Sequence, residues 1–173
     1  MTSRVSCLAV ILSLLALSSA AAAVVPRGPT TVAKFLSAVN DVRRQAGAPP
    51  LAWNATVARR AKQSAVWLRS SGGCDLAQNG RDPSGNTGGA RTYFLRGGRR
   101  VSPKDAVWSW AEERRWYDAG TGACAAGKQC GDYRIMVRPA STQLGCAVAV
   151  CASSVSGSGS DKTIMVCEYY PGH

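Results

Sequence analysis

The chain has 173 residues, 46% of them hydrophobic, and a formal charge of +11, with sixteen Arg and five Lys against ten Asp and Glu. That length bounds it to one ordinary domain with enough chain for a real core. So basic a protein is drawn to polyanions, and outside the cell these are acidic polysaccharides, anionic lipid surfaces or microbial envelopes; nucleic acid fits the charge but not the compartment inferred below.

Residues Met1 to Ala23 read as a secretory leader. Arg4 gives a positive start, Cys7 to Leu17 an apolar run, and Ala21-Ala22-Ala23 a small-residue cleavage pattern. The run is shorter than the roughly 20 residues a membrane span needs. Cleavage would remove Cys7 and Arg4 together, leaving twenty cations against ten acids in a soluble chain without a transmembrane segment. Residues 24–30 read as a short lead-in, and 31–173 as the folded domain.

Thr30 or Thr31 can cap a first helix whose apolar face is Val32, Phe35, Leu36, Val39 and Val42. Gly47 and Pro49-Pro50 end it. Asn54 is a candidate cap for a second helix carrying Val57, Ala58, Ala61, Ala65 and Leu68. From Gly80 to Gly98 the chain is rich in Gly, Asp, Asn and Pro and reads as loop with at most a short helix, Tyr93, Phe94 and Leu95 being its apolar cluster. Ser102-Pro103-Lys104-Asp105 is a strong helix start, with a capping serine, proline at the first position and aspartate at the third. Tyr133–Val137, Leu144–Cys151 and Thr163–Tyr169 read as strands, the last two pairing antiparallel across a Ser/Gly loop. Helices first and strands later suggest helices packed on a sheet, an α+β class.

Six cysteines follow the leader: Cys74, Cys124, Cys130, Cys146, Cys151 and Cys167. An even count in a secreted chain reads as a disulfide framework, with fifteen possible pairings from sequence alone.

Several segments together carry a resemblance. They are F-L-S-A-V-N-D-V-R, P-P-L-A-W-N-A-T-V-A, D-A-V-W-S-W-A-E-E-R-R-W-Y-D, C-A-A-G-K-Q-C-G-D-Y, L-G-C-A-V-A-V-C and C-E-Y-Y-P-G. Their order and spacing resemble the CAP-domain family, and within it the plant class 1 pathogenesis-related proteins. The resemblance implies an α-β-α sandwich and three bridges: Cys74–Cys151, Cys124–Cys130 and Cys146–Cys167. It also implies a role in plant defence, secreted to the apoplast or cell wall.

The family's central cleft carries two histidines and two glutamates, and the histidines can bind a divalent metal. Laid on that pattern, the four positions are Gln78, Asn86, Glu113 and Asp132. A further family histidine is Val39 here, and a tryptophan is Arg138. The chain's one histidine, His173, is its last residue. Imidazole is the usual nitrogen ligand of zinc, so no metal and no cofactor are expected. Glu113 and Asp132 are expected to be solvated or paired with arginines such as Arg114, Arg115 or Arg134. A serine or cysteine nucleophile would lack a base, so no catalytic residue is assigned and the chain is read as a non-enzyme. A hydrolase built on Glu113 and Asp132 is the weakest alternative.

Two binding roles remain. Relatives bind sterols through a mobile loop near the cleft, which implies Tyr93, Phe94, Leu95, Arg96, Arg99 and Arg100 as a lipid or microbial-surface loop. Alternatively, the pairs Arg43-Arg44, Arg59-Arg60, Arg99-Arg100 and Arg114-Arg115 bind acidic polysaccharide without a specific pocket. Asn54-Ala55-Thr56 is an N-glycosylation sequon. The protein is expected to act as a monomer.

Overall fold

In the computed structural model, which describes residues 30–71, 73–82, 87–97, 101–156 and 160–172, the first helix, α1, spans Thr31–Gln45. Thr30 caps it by accepting the N–H of Ala33, and Gly47 leaves it in the left-handed region at φ +72°. A two-residue strand β1 (Ala52–Trp53) follows, then α2 (Ala55–Ser70). The Asn54 Oδ1 accepts the N–H groups of Thr56 and Val57 at 2.7 and 3.2 Å. A 3₁₀ turn (Leu76–Arg81) leads to β2 (Ala90–Gly97). Helix α3 (Pro103–Ala111) opens with the capping box formed by Ser102 and Asp105. A second 3₁₀ turn (Glu112–Trp116) precedes α4 (Gly131–Met136), β3 (Gln143–Cys151), a single turn α5 (Ser153–Ser156) and β4 (Lys162–Tyr170).

The strands form one mixed sheet in the order β1-β3-β4-β2. β4 runs antiparallel to both neighbours, and β1 lies parallel to β3. Every residue of β4 from Thr163 to Tyr169 is buried, because helices cover both faces. Ile164 and Val166 pack under α2 with Ala61, Ala65 and Leu68. Met165, Cys167 and Tyr169 pack on the opposite side with Phe35, Val39, Val107, Trp110 and Met136 from α1, α3 and α4. The result is the three-layer α-β-α sandwich that the resemblance implies. Gly145 sets the α2 layer's closest approach: a Cβ there would stand 2.0 Å from the Ala58 nitrogen.

The three bridges are Cys74–Cys151, Cys124–Cys130 and Cys146–Cys167, as the resemblance implies. Cys146 and Cys167 face each other across β3 and β4, and Cys74–Cys151 ties the end of α2 to the sheet.

Three sequence expectations are corrected. Tyr133–Met136 lies in helix α4 and not in a strand, with Val137 as its C-cap: the buried residues Tyr133, Met136 and Val137 stand at helical spacing i, i+3 and i+4. Tyr93–Leu95 lies in strand β2 and not in a loop. Its Arg91 is paired in register with Glu168 of β4, so an ion pair occupies a place where an apolar residue would have marked a strand. Since β2 precedes α3 and α4, the helices do not all come first. The leader at 1–23, the lead-in up to residue 29, Asn86, Arg99, Arg100 and His173 lie outside the described residues, as does part of the Ser/Gly loop.

Two buried charged groups hold the layers together. Arg43, fully buried on α1, donates to the carbonyls of Pro49 (2.7 Å), Met136 (2.8 Å), Arg138 (2.9 Å) and Ser141 (3.1 Å). Burial lowers its pKa below the ordinary arginine value. Between α2 and the sheet, Glu168 accepts from Arg91 at 2.9 Å and from Thr87 at 3.0 Å. Arg91 also reaches Asp82 at 3.3 Å, and Asp82 accepts from Ser64. Arg60 Nε stands 2.7 Å from Glu168 as an ion pair without hydrogen-bond alignment. Burial alone would depress the Arg91 pKa, but the hydrogen bonds and charge of Glu168 more than offset it.

Candidate functional site

The second 3₁₀ turn brings Glu113 to the start of α4. Its Oε2 accepts the backbone N–H groups of Asp132 at 2.9 Å and Tyr133 at 3.1 Å. Those groups have no partner within the helix, so the carboxylate serves as a cap supplied from another element. Glu113 is therefore neither simply solvated nor arginine-paired, which corrects the expectation for it. The Asp132 carboxyl sits beside it, half-buried. Desolvation first, and the negative charge of Glu113 second, raise its pKa to about 7.

Of the four cleft positions, the structure brings Glu113 and Asp132 together. Gln78 lies on the first 3₁₀ turn and makes no hydrogen bond to either carboxylate among the described residues. Asn86 lies outside them. Val39, in place of a family histidine, is buried in the core. The residues present do not fit a divalent ion. Glu113 Oε2 is taken up by the α4 backbone, the two remaining corners, Gln78 and Asn86, are amides by sequence, and no cluster of three His, Cys, Asp or Glu suited to a metal occurs among the described residues.

Two cavities instead flank α3, and Trp108 and Glu112 line both. The first, about 680 Å³, lies between α3 and β2. Leu76, Tyr93, Phe94, Leu95 and Trp108 line it together with Arg96, Lys104, Asp105, Ser109 and Glu112, so apolar side chains share it with two cations and two acids. Phe94 itself is 8% exposed and Trp110 Nε1 donates to the Tyr93 carbonyl at 3.0 Å, so this wall is fixed in the sheet. The second, about 490 Å³, lies between α1, α3 and the second 3₁₀ turn, lined by Val42, Gln45, Ala111, Arg114, Arg115 and Tyr133.

Trp108 is 64% exposed, whereas Trp110 is buried. Sequence reading missed its role. The signal was present: two residues apart on a helix, side chains point roughly 200° apart, so one tryptophan of W-S-W must face outward when the other is in the core.

Among the described residues, which leave out Arg99 and Arg100, the arginine pairs do not gather on one face. Arg43 is interior, Arg44 pairs with Asp41 at 2.8 Å, and Arg60 turns toward Glu168 and stands 5.0 Å over the Tyr170 ring. Arg114 and Arg115 remain outward, and Arg115 and Lys128 both stand over the Trp116 ring. At the sequon, the Asn54 Nδ2 that a glycan would occupy donates to Gln143 Oε1 at 2.8 Å. No helix among the described residues is long and apolar enough to cross a membrane.

Comparison with known proteins agrees with this architecture. Residues 36–169 match the profile of the CAP, or cysteine-rich secretory protein, family. Pathogenesis-related protein PRMS of Zea mays is 30% identical over 164 residues, covering 95% of this chain and 90% of that protein. Pathogenesis-related leaf protein 4 of Solanum lycopersicum is 34% identical over 117 residues, 68% of this chain and 67% of that one. Among solved structures, Schistosoma mansoni venom allergen-like protein 4 superposes with a TM-score of 0.58 at 23% identity, over 84% of this chain and 91% of that one. Na-ASP-1 gives 0.61 at 17% identity, over 83% of this chain and 39% of that one. The chain belongs to the CAP family of cysteine-rich secretory proteins, with plant pathogenesis-related proteins among its relatives.

Proposed function

We propose that this is a secreted, non-enzymatic defence protein that binds a sterol or another amphipathic lipid, its own or a microbe's, in the cavity between α3 and β2. The observation that carries the reading is a cavity of about 680 Å³ lined by the exposed Trp108 together with Leu76, Tyr93, Phe94 and Leu95, with cations and acids among them. A concave site of this size that combines aromatic and aliphatic side chains with polar and charged groups suits an amphipathic ligand. Tyr93, Phe94 and Leu95 reach it from strand β2, where the resemblance implies a mobile loop, and the charged groups Arg96, Lys104, Asp105 and Glu112 suit the polar end of an amphipathic lipid. Export by the leader to the apoplast, and action as a monomer, complete the reading. Three disulfides in one chain suit that oxidising compartment.

A hydrolase reading has less support. General acid–base work needs both carboxyls free to reach substrate, and Glu113 is engaged by the α4 backbone. The test is photolabelling of the purified mature protein with a photoreactive sterol, followed by peptide mapping. Saturable label on peptides of β2 and α3 is expected; no saturable label would overturn the lipid reading.

A further inference from the structure

We infer a second binding site on this molecule, for an acidic oligosaccharide, on the face that runs from Trp108 across Arg114 and Arg115 to Trp116 and Lys128. It shares Trp108 and Glu112 with the lipid cavity but rests on Arg114, Arg115, Trp116 and Lys128, none of which lines that cavity.

The second 3₁₀ turn and the Cys124–Cys130 loop build this face. The loop is docked on the turn by a backbone bridge between Tyr117 and Cys124, and by the Ala125 N–H donating to the Trp116 carbonyl at 2.8 Å. The disulfide closes it over six residues of separation. These contacts bring Lys128 Nζ to 4.6 Å from the centre of the Trp116 ring, with the Arg115 guanidinium 5.8 Å from the same ring. Cation–π attraction thus gathers two cations over one aromatic residue. Arg114 and Arg115 line the neighbouring 490 Å³ cavity, together with Gln45 and the 64% exposed Trp108.

Charge complementarity selects the occupant. Glu113, which would neutralise the arginines from within the same turn, faces inward to α4. Glu112 is the acid that remains on the cavity, and its pairing with Arg115 is long, at 3.5 Å, and well exposed. Such a pair contributes little, so a ligand carboxylate can take the guanidinium at small cost. Neither Arg114 nor Lys128 forms an ion pair among the described residues. A uronic acid chain repeats a carboxylate on each flat sugar ring. Guanidinium groups bind carboxylates with two parallel hydrogen bonds, an exposed tryptophan ring offers a platform for the sugar face, and Gln45 offers donor and acceptor to hydroxyls. A bilayer would ask for a contiguous apolar patch. The other exposed large apolar side chains, Val32, Val66, Val148 and Tyr170, are scattered over α1, α2, β3 and β4.

The test is calorimetric titration of the mature protein with an unesterified oligogalacturonide, with the fully methyl-esterified oligomer as the uncharged control. Saturable binding to the acid form, weakening as salt rises, is expected, with weak or no binding to the ester. The Arg114→Ala/Arg115→Ala double variant should bind roughly tenfold more weakly or worse. An Arg59→Ala/Lys62→Ala double variant, which removes the same charge from α2, should bind as the wild type does. Trp116→Ala should weaken binding by releasing Arg115 and Lys128, and Trp116→Phe should restore it. Circular dichroism and urea titration check that each variant is folded. Four results would overturn the site: no binding, equal affinity for acid and ester, equal losses in the two double variants, or saturable capture of phosphatidic acid vesicles without oligogalacturonide binding.

Discussion

Glu113 Oε2 stands 2.9 Å from the backbone nitrogen of Asp132 and accepts its hydrogen. One of the family's cleft carboxylates is thereby a helix cap in this chain. Glu113→Ala should lower stability by about 1–2 kcal/mol, the usual cost of a lost cap plus orphaned N–H groups. Glu113→Gln, which keeps an acceptor, should lose less. Urea unfolding checks this through a lower midpoint at unchanged slope; a wild-type midpoint for Glu113→Ala would contradict the capping role.

Asp132 makes stability depend on pH with a defined sign. Its pKa is raised from 3.8 to about 7 by burial and by Glu113, so the folded state holds its proton more tightly than the unfolded chain. Its stabilising contribution is full below about pH 4 and is lost as pH rises to about 7. Each tenfold gain in proton affinity on folding corresponds to about 1.4 kcal/mol. Asp105 and Asp118 have pKa values below the ordinary one and act in a lower window, where stability is lost as pH falls. Melting temperatures measured from pH 4 to 7 should therefore fall in the wild type relative to Asp132→Asn. Parallel curves would contradict it.

Arg43 is a structural cation. Its fork satisfies four carbonyls from three segments, and no single ammonium can reproduce that geometry. Arg43→Met should cost about 3 kcal/mol or more, because several buried carbonyls lose their donor. Arg43→Lys should rescue only part of the loss. Denaturant titration with both variants decides, and full rescue by lysine would show that charge alone matters.

The bridges should rank by the loop they close. Cys74–Cys151 spans 77 residues and Cys124–Cys130 spans 6. On the chain-entropy account these contribute about 4–5 and about 2 kcal/mol. Paired Cys→Ala variants at each bridge, compared by thermal unfolding, should show the larger loss for the first. The reverse order would mean that native-state packing outweighs loop closure.

The helix starts at Thr30, Asn54 and Ser102 were legible because caps are local chemistry: a side-chain oxygen and an N–H two or three residues on. The last two strands were legible because apolar runs bounded by turn residues carry their own signal. β2 was hidden, since Arg91 is buried by a partner 77 positions away, and no window along the chain contains both. α4 was misread because its six residues hold too few apolar positions to separate a period of 2 from 3.6. The cleft positions could be named from the resemblance. That Glu113 caps α4, and that Trp108 stands between two cavities, depends on tertiary packing.

On the proposed reading, ligand binds beside Trp108 and the former cleft has a structural part. A saturation titration with a fluorescent sterol, run on the wild type, Trp108→Ala and Gln78→Ala, tests that division directly. Trp108→Ala removes an exposed ring and should abolish saturable binding while the fold is kept, and Gln78→Ala should bind as the wild type does. Undiminished binding by Trp108→Ala, with loss in Gln78→Ala, would return the function to the cleft and contradict the proposal.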